Sequence, residues 1–496
     1  MIYLNNFGFT SMRNLLATVL FSVLAMASIA MSAQAASEFP PVRDAPPNTE
    51  VISSALKLDD LPSPVVIRIE GGEYSINNQP FTSQSLHIIE GDLLRVKVQS
   101  SAEEKGEAVA LVHLGSETIP FSVVNAGRSI GINFNEQLGV LSDAVIDVNI
   151  AELQPEWVRG FLDFYSLFDK DTLKPLPEFK NSTNIARFIE LKKKGYKTVL
   201  SIKWNYKGRH TPATMPSTPE ALKKHQDALL ALYEKMWPYV DILVVGNEPF
   251  IESPSDKVPS RDKNLVPFYS AMLDTTIRYR NSSNRKETPL FLGAFNRLEM
   301  PRFQVASEGL LALAKSTPEV AGIDLHIHHA DSDFSAMRVS IDFATAHIRP
   351  DQRFISTEFS AMHYWKSKTP LALSPAFATK YDLPENMKVY EYLDKVLKKD
   401  PSGAVAHGQW LDFVEMNPWY KDLQSRYLAD AYRTFTVSPQ FLLATYSFRQ
   451  SFHGVFDTTS DPWILNAIFV NQTVPLRPDG SYELNKYYYR DFDRLR

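Results

Sequence analysis

From about residue 128 to 470 the chain repeats one pattern, a short apolar run followed by a stretch of helical period. The apolar runs fall at 130–134, 157–165, 198–204, 241–250, 289–296, 322–329, 353–359 and 441–448. Between them the spacing predicts helices near 142–153, 184–194, 218–237, 265–279, 303–315, 334–347 and 419–436, with a last one over 462–469. Strands that alternate with helices pair in parallel, because each crossover returns the chain to the same edge. Eight such units predict an α/β fold, a (β/α)8 TIM barrel closed on itself. An open doubly wound sheet would carry a glycine-rich phosphate loop early in the pattern, and none is present. Residues 366–417 interrupt the pattern and read as an irregular insertion rich in Pro and aromatics.

The segment before the barrel is of another kind. Short alternating runs at 65–69, 93–98, 108–112 and 118–124 are separated by the turn signals Gly71-Gly72, Asn77-Asn78 and Gly91-Asp92. Period-two runs without helices predict a small all-β sandwich over 63–126. Residues 36–62, with Pro40, Pro41, Pro46 and Pro47, read as a linker, and 471–496 as a C-terminal tail. At the start, Arg13 precedes an apolar run, 15–29, and then Ala33-Gln34-Ala35. A charged start, an apolar core and an A-x-A site are the layout of a secretory signal over 1–35. A periplasmic or secreted protein is expected, with no stable membrane span once the signal is cleaved. The net charge of −5 gives no reason to expect nucleic acid as a partner. The absence of Cys excludes disulfides, thiolate metal sites and a Cys nucleophile. Oligomeric state is not legible.

Two glutamates stand out against the pattern. Glu248 closes the fourth apolar run, in Asn247-Glu248-Pro249, and Glu358 closes the seventh. An unpaired charge is costly to bury, so a carboxylate delivered by a buried strand is a candidate for chemistry. On a barrel the carboxyl ends of all strands meet on one face, where active sites form. Two carboxylates meeting there are what glycosidic cleavage needs, one protonated as acid and one ionised as nucleophile. Arg159 lies among apolar neighbours on the second run, placed either to ionise a nearby carboxylate or to form a structural ion pair. On the sixth run alternation puts His326 and His328 on one face and His329 on the other. Trp204 and Tyr446, at the ends of the third and eighth runs, are candidate sugar platforms. Trp365, Trp410 and Trp419 either wall the cleft or form the insertion's own core.

With Asn247-Glu248-Pro249 on strand four and Glu358 on strand seven, residues 128–470 resemble the clan A glycoside hydrolases. The resemblance implies that Glu248 is the acid/base and Glu358 the nucleophile of a retaining reaction on a polysaccharide or oligosaccharide. It implies that Asn247 meets a sugar hydroxyl, that Arg159 steadies the nucleophile and that the strand-six histidines hydrogen-bond the carboxylates. The family often carries Trp on strand eight, where this chain has Tyr446 and Phe448. No cofactor and no metal are expected. The alternatives are a non-catalytic carbohydrate-binding envelope protein and a metal-dependent hydrolase using His326 and His328, since imidazoles with carboxylates can hold zinc.

Overall fold

The computed structural model describes residues 39–496, apart from 46–47, 60, 62–63, 104–105, 126, 136–137, 208–210, 256 and 398–403. The expected signal, 1–35, lies outside the described residues. The chain divides into two compact units, Met1–Asn125 and Ala126–Arg496.

In the first unit, Val42–Ala45, Glu117–Asn125, Glu107–Leu114, Val65–Glu70 and Leu86–Ile88 form one sheet in that order. In the second sheet Leu93–Gln99 pairs with Glu50–Ile52, Leu56–Lys57 and Glu73–Ile76. Alternation sends Ile67, Leu94, Val96, Ala110, Val112, Phe121 and Val123 into one core with Tyr74. The described part of 36–62 is therefore more than a linker, since it supplies three of these strands. Val42–Ala45 is an edge strand preceded by Pro40 and Pro41, a place where the missing N–H costs nothing.

The second unit is the barrel. Its strands are β1 (Ser129–Asn133), β2 (Trp157–Asp163), β3 (Lys197–Lys203), β4 (Ile242–Val245), β5 (Leu290–Asn296), β6 (Val320–His328), β7 (Arg353–Ser360) and β8 (Phe441–Ser447). They close in sequence order, and β8 pairs in parallel with β1 from Ser129↔Leu443 to Asn133↔Ser447. Val199, Ile242, Val244, Phe291, Ile355 and Leu443 form a cluster separate from the helix-facing core, filling the lumen beneath the carboxyl ends.

The helices are α1 (Thr183–Lys193), α2 (Pro219–Met236), α3 (Leu265–Ser282), α4 (Pro301–Ser316), α5 (Ser335–Ala346), α6 (Tyr427–Thr436) and α7 (Lys486–Leu495). Ser182 and Thr218 cap α1 and α2 through their hydroxyl oxygens, and Pro219 opens α2. The helix expected over 462–469 is instead a single turn, Trp463–Leu465. The last helix is α7, so the tail belongs to the barrel unit. Its register comes from the antiparallel pair Phe469–Val470 and Glu483–Leu484 and from Asn149, which exchanges hydrogen bonds with the Tyr482 backbone.

The insertion after β7 is also more regular than its composition suggests. It holds helices Pro375–Lys380, Val389–Leu397 and His407–Met416, and the helix expected over 419–436 divides into Pro418–Gln424 and α6. Trp365 and Trp410 are fully buried there, and their indole N–H groups donate to Asn466 and Asn485. They are core, and so are not cleft wall.

Candidate active site

Glu248 reaches the barrel mouth through an unusual backbone. Gly246 has φ +118, and a Cβ there would stand 2.0 Å from the Gly293 carbonyl oxygen. Only glycine allows β4 and β5 to approach so closely. The chain then turns at Glu248, and Pro249 opens the short helix Pro249–Glu252. The Glu248 carbonyl accepts from the N–H groups of Ile251 and Glu252, which ties the carboxylate's own backbone.

Glu358 enters from β7, where the pairing with β6 slips between Asp324 and His326 and brings His326 opposite Glu358. One oxygen from each of Glu248 and Glu358, with one ring nitrogen from each of His326 and His328, lie within 4.8 Å of one another. A cavity of about 520 Å³ opens above them, lined among others by Asn247, Asn296, Lys203, Phe161, His328 and Trp463.

Arg159 is fully buried beneath this group. Its Nη1 donates to Glu358 Oε1 at 2.7 Å and to Asn133 Oδ1 at 3.0 Å, its Nη2 to Asn247 Oδ1 at 2.6 Å, and its Nε to Ser201 Oγ at 3.1 Å. One guanidinium thus fixes Glu358 and Asn247 in a single frame, a task that needs the planar fork of Arg. Burial pushes the Glu358 carboxyl up, but the charges of His326 and Arg159 outweigh it and hold the group below its usual value.

Glu248 is held differently. Asn296 Nδ2 donates to its Oε1 at 2.6 Å, and His326 Nδ1 meets the same oxygen at 3.0 Å. Burial again pushes the carboxyl up, and the hydrogen bond and charge of His326 bring it down to about 2. His326 is itself raised, because Glu358, Glu248 and Asp324 surround it and outweigh the cost of its burial. Its Nε2 lies 3.0 Å from Thr357 Oγ1. His328, by contrast, is pushed down to about 4 by burial and is neutral, with Nδ1 against Ser360 Oγ at 2.8 Å. Its ring packs edge-on against Trp463.

Of the residues singled out from sequence, Glu248, Glu358, Asn247, Arg159, His326 and His328 come together here. Trp204 and Tyr446 do not line the cavity. Trp204 is enclosed by Phe164, Phe268 and Tyr269, and Tyr446 by Phe359, Tyr427 and Tyr488. Both lie one layer too deep to be platforms, because the strands carrying them turn these rings toward the helices. His329 faces away as alternation predicts, held at Asp331 and stacked on Tyr427.

Sequence reasoning missed Asn296, Asp324, Thr357, Lys203, Glu252 and Trp463. Asp324 was within reach, since it shares the parity of His326 along β6. Glu252 follows Glu248 by one helical turn. It pairs with Lys203 Nζ at 2.9 Å and accepts from Asn247 Nδ2 at 2.7 Å. Burial lifts its carboxyl to about 7 against the charge of Lys203.

The four clustered donors are poorly suited to a metal ion. His326 has both ring nitrogens committed, and the Arg159 cation sits on Glu358 Oε1. A divalent ion would have to displace these bonds and tolerate a fixed positive charge.

No family model and no curated protein matches the sequence. Solved structures give distant likenesses. One is a family 39 glycoside hydrolase from the gut symbiont Bacteroides cellulosilyticus WH2, at 11% identity and a TM-score of 0.42, covering 92% of this chain and 82% of that one. Another is a GH5-4 broad specificity endoglucanase from Clostridium acetobutylicum, at 12% identity and a TM-score of 0.41, covering 70% and 94%. A third is the GH53 catalytic domain of Ignisphaera aggregans, at 12% identity and a TM-score of 0.40, covering 75% and 91%. At this distance such likenesses say nothing about chemistry, which rests on the site itself.

Proposed function

We propose that the protein is a retaining glycoside hydrolase acting on a polysaccharide or oligosaccharide, exported by its N-terminal signal. The observation that carries this is the approach of Glu248 and Glu358 within 4.8 Å at the ends of β4 and β7. Inverting pairs stand about 6.5–9.5 Å apart to admit a water, whereas retaining pairs stand about 5–5.5 Å apart. An oxygen of each within 4.8 Å of the other favours the retaining class.

Glu358 is the nucleophile, kept ionised by the charges of His326 and Arg159, with an oxygen to attack the anomeric carbon as the glycosidic C–O bond breaks. Glu248 gives its proton to the departing oxygen. In the second step Glu248 takes a proton from water, whose oxygen attacks the anomeric carbon and releases Glu358. Both contacts to Glu248 fall on Oε1, which leaves Oε2 for the substrate. Asn247 lines the cavity between the two and is oriented by Arg159 and Glu252 to meet a sugar hydroxyl.

The test is hydrolysis of a glycan panel by the wild type and by Glu358→Gln. Cleavage of at least one glycan by the wild type alone supports the proposal. Equal activity in Glu358→Gln would remove the nucleophile and with it this reading.

A further inference from the structure

A general acid must carry a proton, yet Glu248 lies 3.0 Å from a His326 whose surroundings favour its charged form. Loading Glu248 is favoured when the charge on His326 falls, and the hydrogen bonds behind the ring offer a place for that proton to go. Behind His326 a line of hydrogen bonds runs into the barrel. His326 Nε2 meets Thr357 Oγ1 at 3.0 Å, and Thr357 Oγ1 meets Asp324 Oδ2 at 2.6 Å. The second Asp324 oxygen accepts from the Thr357 backbone N–H at 2.9 Å, which fixes the carboxyl. Asp324, His326 and Thr357 are all fully buried, so no water competes for these bonds.

We infer that Asp324, Thr357 and His326 form a proton relay behind the acid/base, in which one proton moves between Asp324 and His326 Nε2 while His326 Nδ1 keeps donating to Glu248. The inference rests on the glycosidase reading for its role but not for its chemistry.

The hydroxyl of Thr357 makes the exchange balanced. With Asp324 ionised, Thr357 donates to Asp324 and accepts from Nε2–H, so His326 is an imidazolium. With Asp324 protonated, the Asp324 O–H donates to Thr357 Oγ1, and the Thr357 O–H donates to a bare Nε2. From the first state to the second the Nε2–H bond breaks as a new Thr357 O–H bond forms, and the old Thr357 O–H bond breaks as an Asp324 O–H bond forms; the return reverses each. The net charge of the three residues is the same in both states. Asp324 passes between neutral and negative as His326 passes between neutral and positive. In both, Nδ1–H points at Glu248 Oε1, beside the Asn296 donor. A carboxyl oxygen that accepts two hydrogen bonds is the unprotonated one, so the catalytic proton is steered to Oε2.

The relay thereby matches the two halves of the reaction. While Glu248 is protonated, the neutral form of His326 spares it an adjacent cation. When Glu248 has given up its proton, the imidazolium form neutralises the new carboxylate. The surroundings bias the relay without fixing it. Glu358 Oε1 lies 3.7 Å from Nε2 and favours the imidazolium, as does Glu248. Arg159 favours the ionised form of Asp324, against a burial that raises its carboxyl. His328 is neutral, and Lys203 and Glu252 act on Glu248 from β3 and the short helix beyond β4. Asp324 and Thr357 touch no substrate and are positioning residues.

The test is a pH titration of 15N-labelled histidine by NMR in the full chain, with the His326 signals assigned by their loss in His326→Gln. In the wild type Nδ1 carries a proton throughout the neutral range. Thr357→Ser keeps the hydroxyl and titrates as the wild type does. Thr357→Val removes only the bridge, and Asp324→Asn only the proton acceptor; each lowers the His326 pKa by at least about one unit. A wild-type Nδ1 that is unprotonated near neutral pH overturns the relay even if both variants fail to fold. So does a Thr357→Val or Asp324→Asn protein that titrates unchanged. Since the readout needs no substrate, loss of the glycosidase reading and loss of the relay are told apart. On any glycan the enzyme cleaves, Thr357→Val but not Thr357→Ser shifts the alkaline limb of kcat/KM. A fall in kcat with the limb unmoved would make Thr357 structural only.

Discussion

The mouths of β4 and β7 each present one partly buried glutamate, but the two are held by opposite kinds of partner. Glu358 sits on Arg159, a permanent cation whose other donors are spent on Asn133, Ser201 and Asn247. Glu248 sits on Asn296, which carries no charge, and on His326, whose charge can change. A carboxylate against a fixed cation has one protonation state across the working pH range. A carboxylate against a titratable donor can be loaded and unloaded. The contrast assigns roles that distance alone does not, since the separation of the pair is the same seen from either side.

The largest effects should separate the two roles. On aryl glycosides with good leaving groups, Glu358→Gln should show no turnover by any assay. Glu248→Ala should form the glycosyl-enzyme readily but hydrolyse it slowly, by a factor on the order of 10²–10⁴ in kcat, the usual worth of acid/base assistance. Azide should restore Glu248→Ala by taking the place of the activated water. Azide rescue of Glu358→Ala, with an inverted product, would exchange the two assignments.

A smaller effect should follow from Arg159→Lys. Lysine keeps a charge but cannot hold Glu358 and Asn247 in one plane. Because the charges of His326 and Arg159 together keep Glu358 below its usual value, weakening the Arg159 pair should raise the nucleophile's pKa. The acidic limb of the kcat/KM profile should then move upward, by about one pH unit. An unmoved limb would mean that Arg159 orients Glu358 without setting its charge.

Which parts of this contrast can be read from sequence follows from how each residue is placed. The barrel was legible because its eight apolar runs recur with a period that only βα units produce. Glu248, Glu358, Arg159 and the parity of His326 with His328 followed from strand ends and alternation. Trp204 and Tyr446 misled because an aromatic at a strand end points to the lumen or to the helices according to register, and one shifted residue decides which. Asn296 and Thr357 were hidden by bulges, since the pairing slips along β5 and again along β7. The strands of 36–62 were masked by prolines, which mark an edge strand as readily as a linker. The chemistry of Glu252 was invisible because it depends on Lys203 from a neighbouring strand.

That third carboxyl gives the smallest expected effect. Glu252 is raised to about 7, so its folded form binds a proton that the unfolded chain has released. Its contribution to stability is therefore present below the ordinary glutamate value and is lost as pH rises through about 7. Glu252→Gln lacks this loss. Its melting temperature relative to the wild type should be higher at about pH 8 than at about pH 5. The opposite trend would mean that Lys203 wins over burial and keeps Glu252 ionised.

A retaining reaction requires Glu358 to attack carbon directly, with no water between the carboxylates. Proton NMR of the anomeric signals, recorded as the first product of a cleaved glycan forms and before mutarotation, reads this at once. Net retention of configuration at the anomeric carbon is the predicted result. A first-formed product of inverted configuration would contradict it and would make Glu358 a base that activates water.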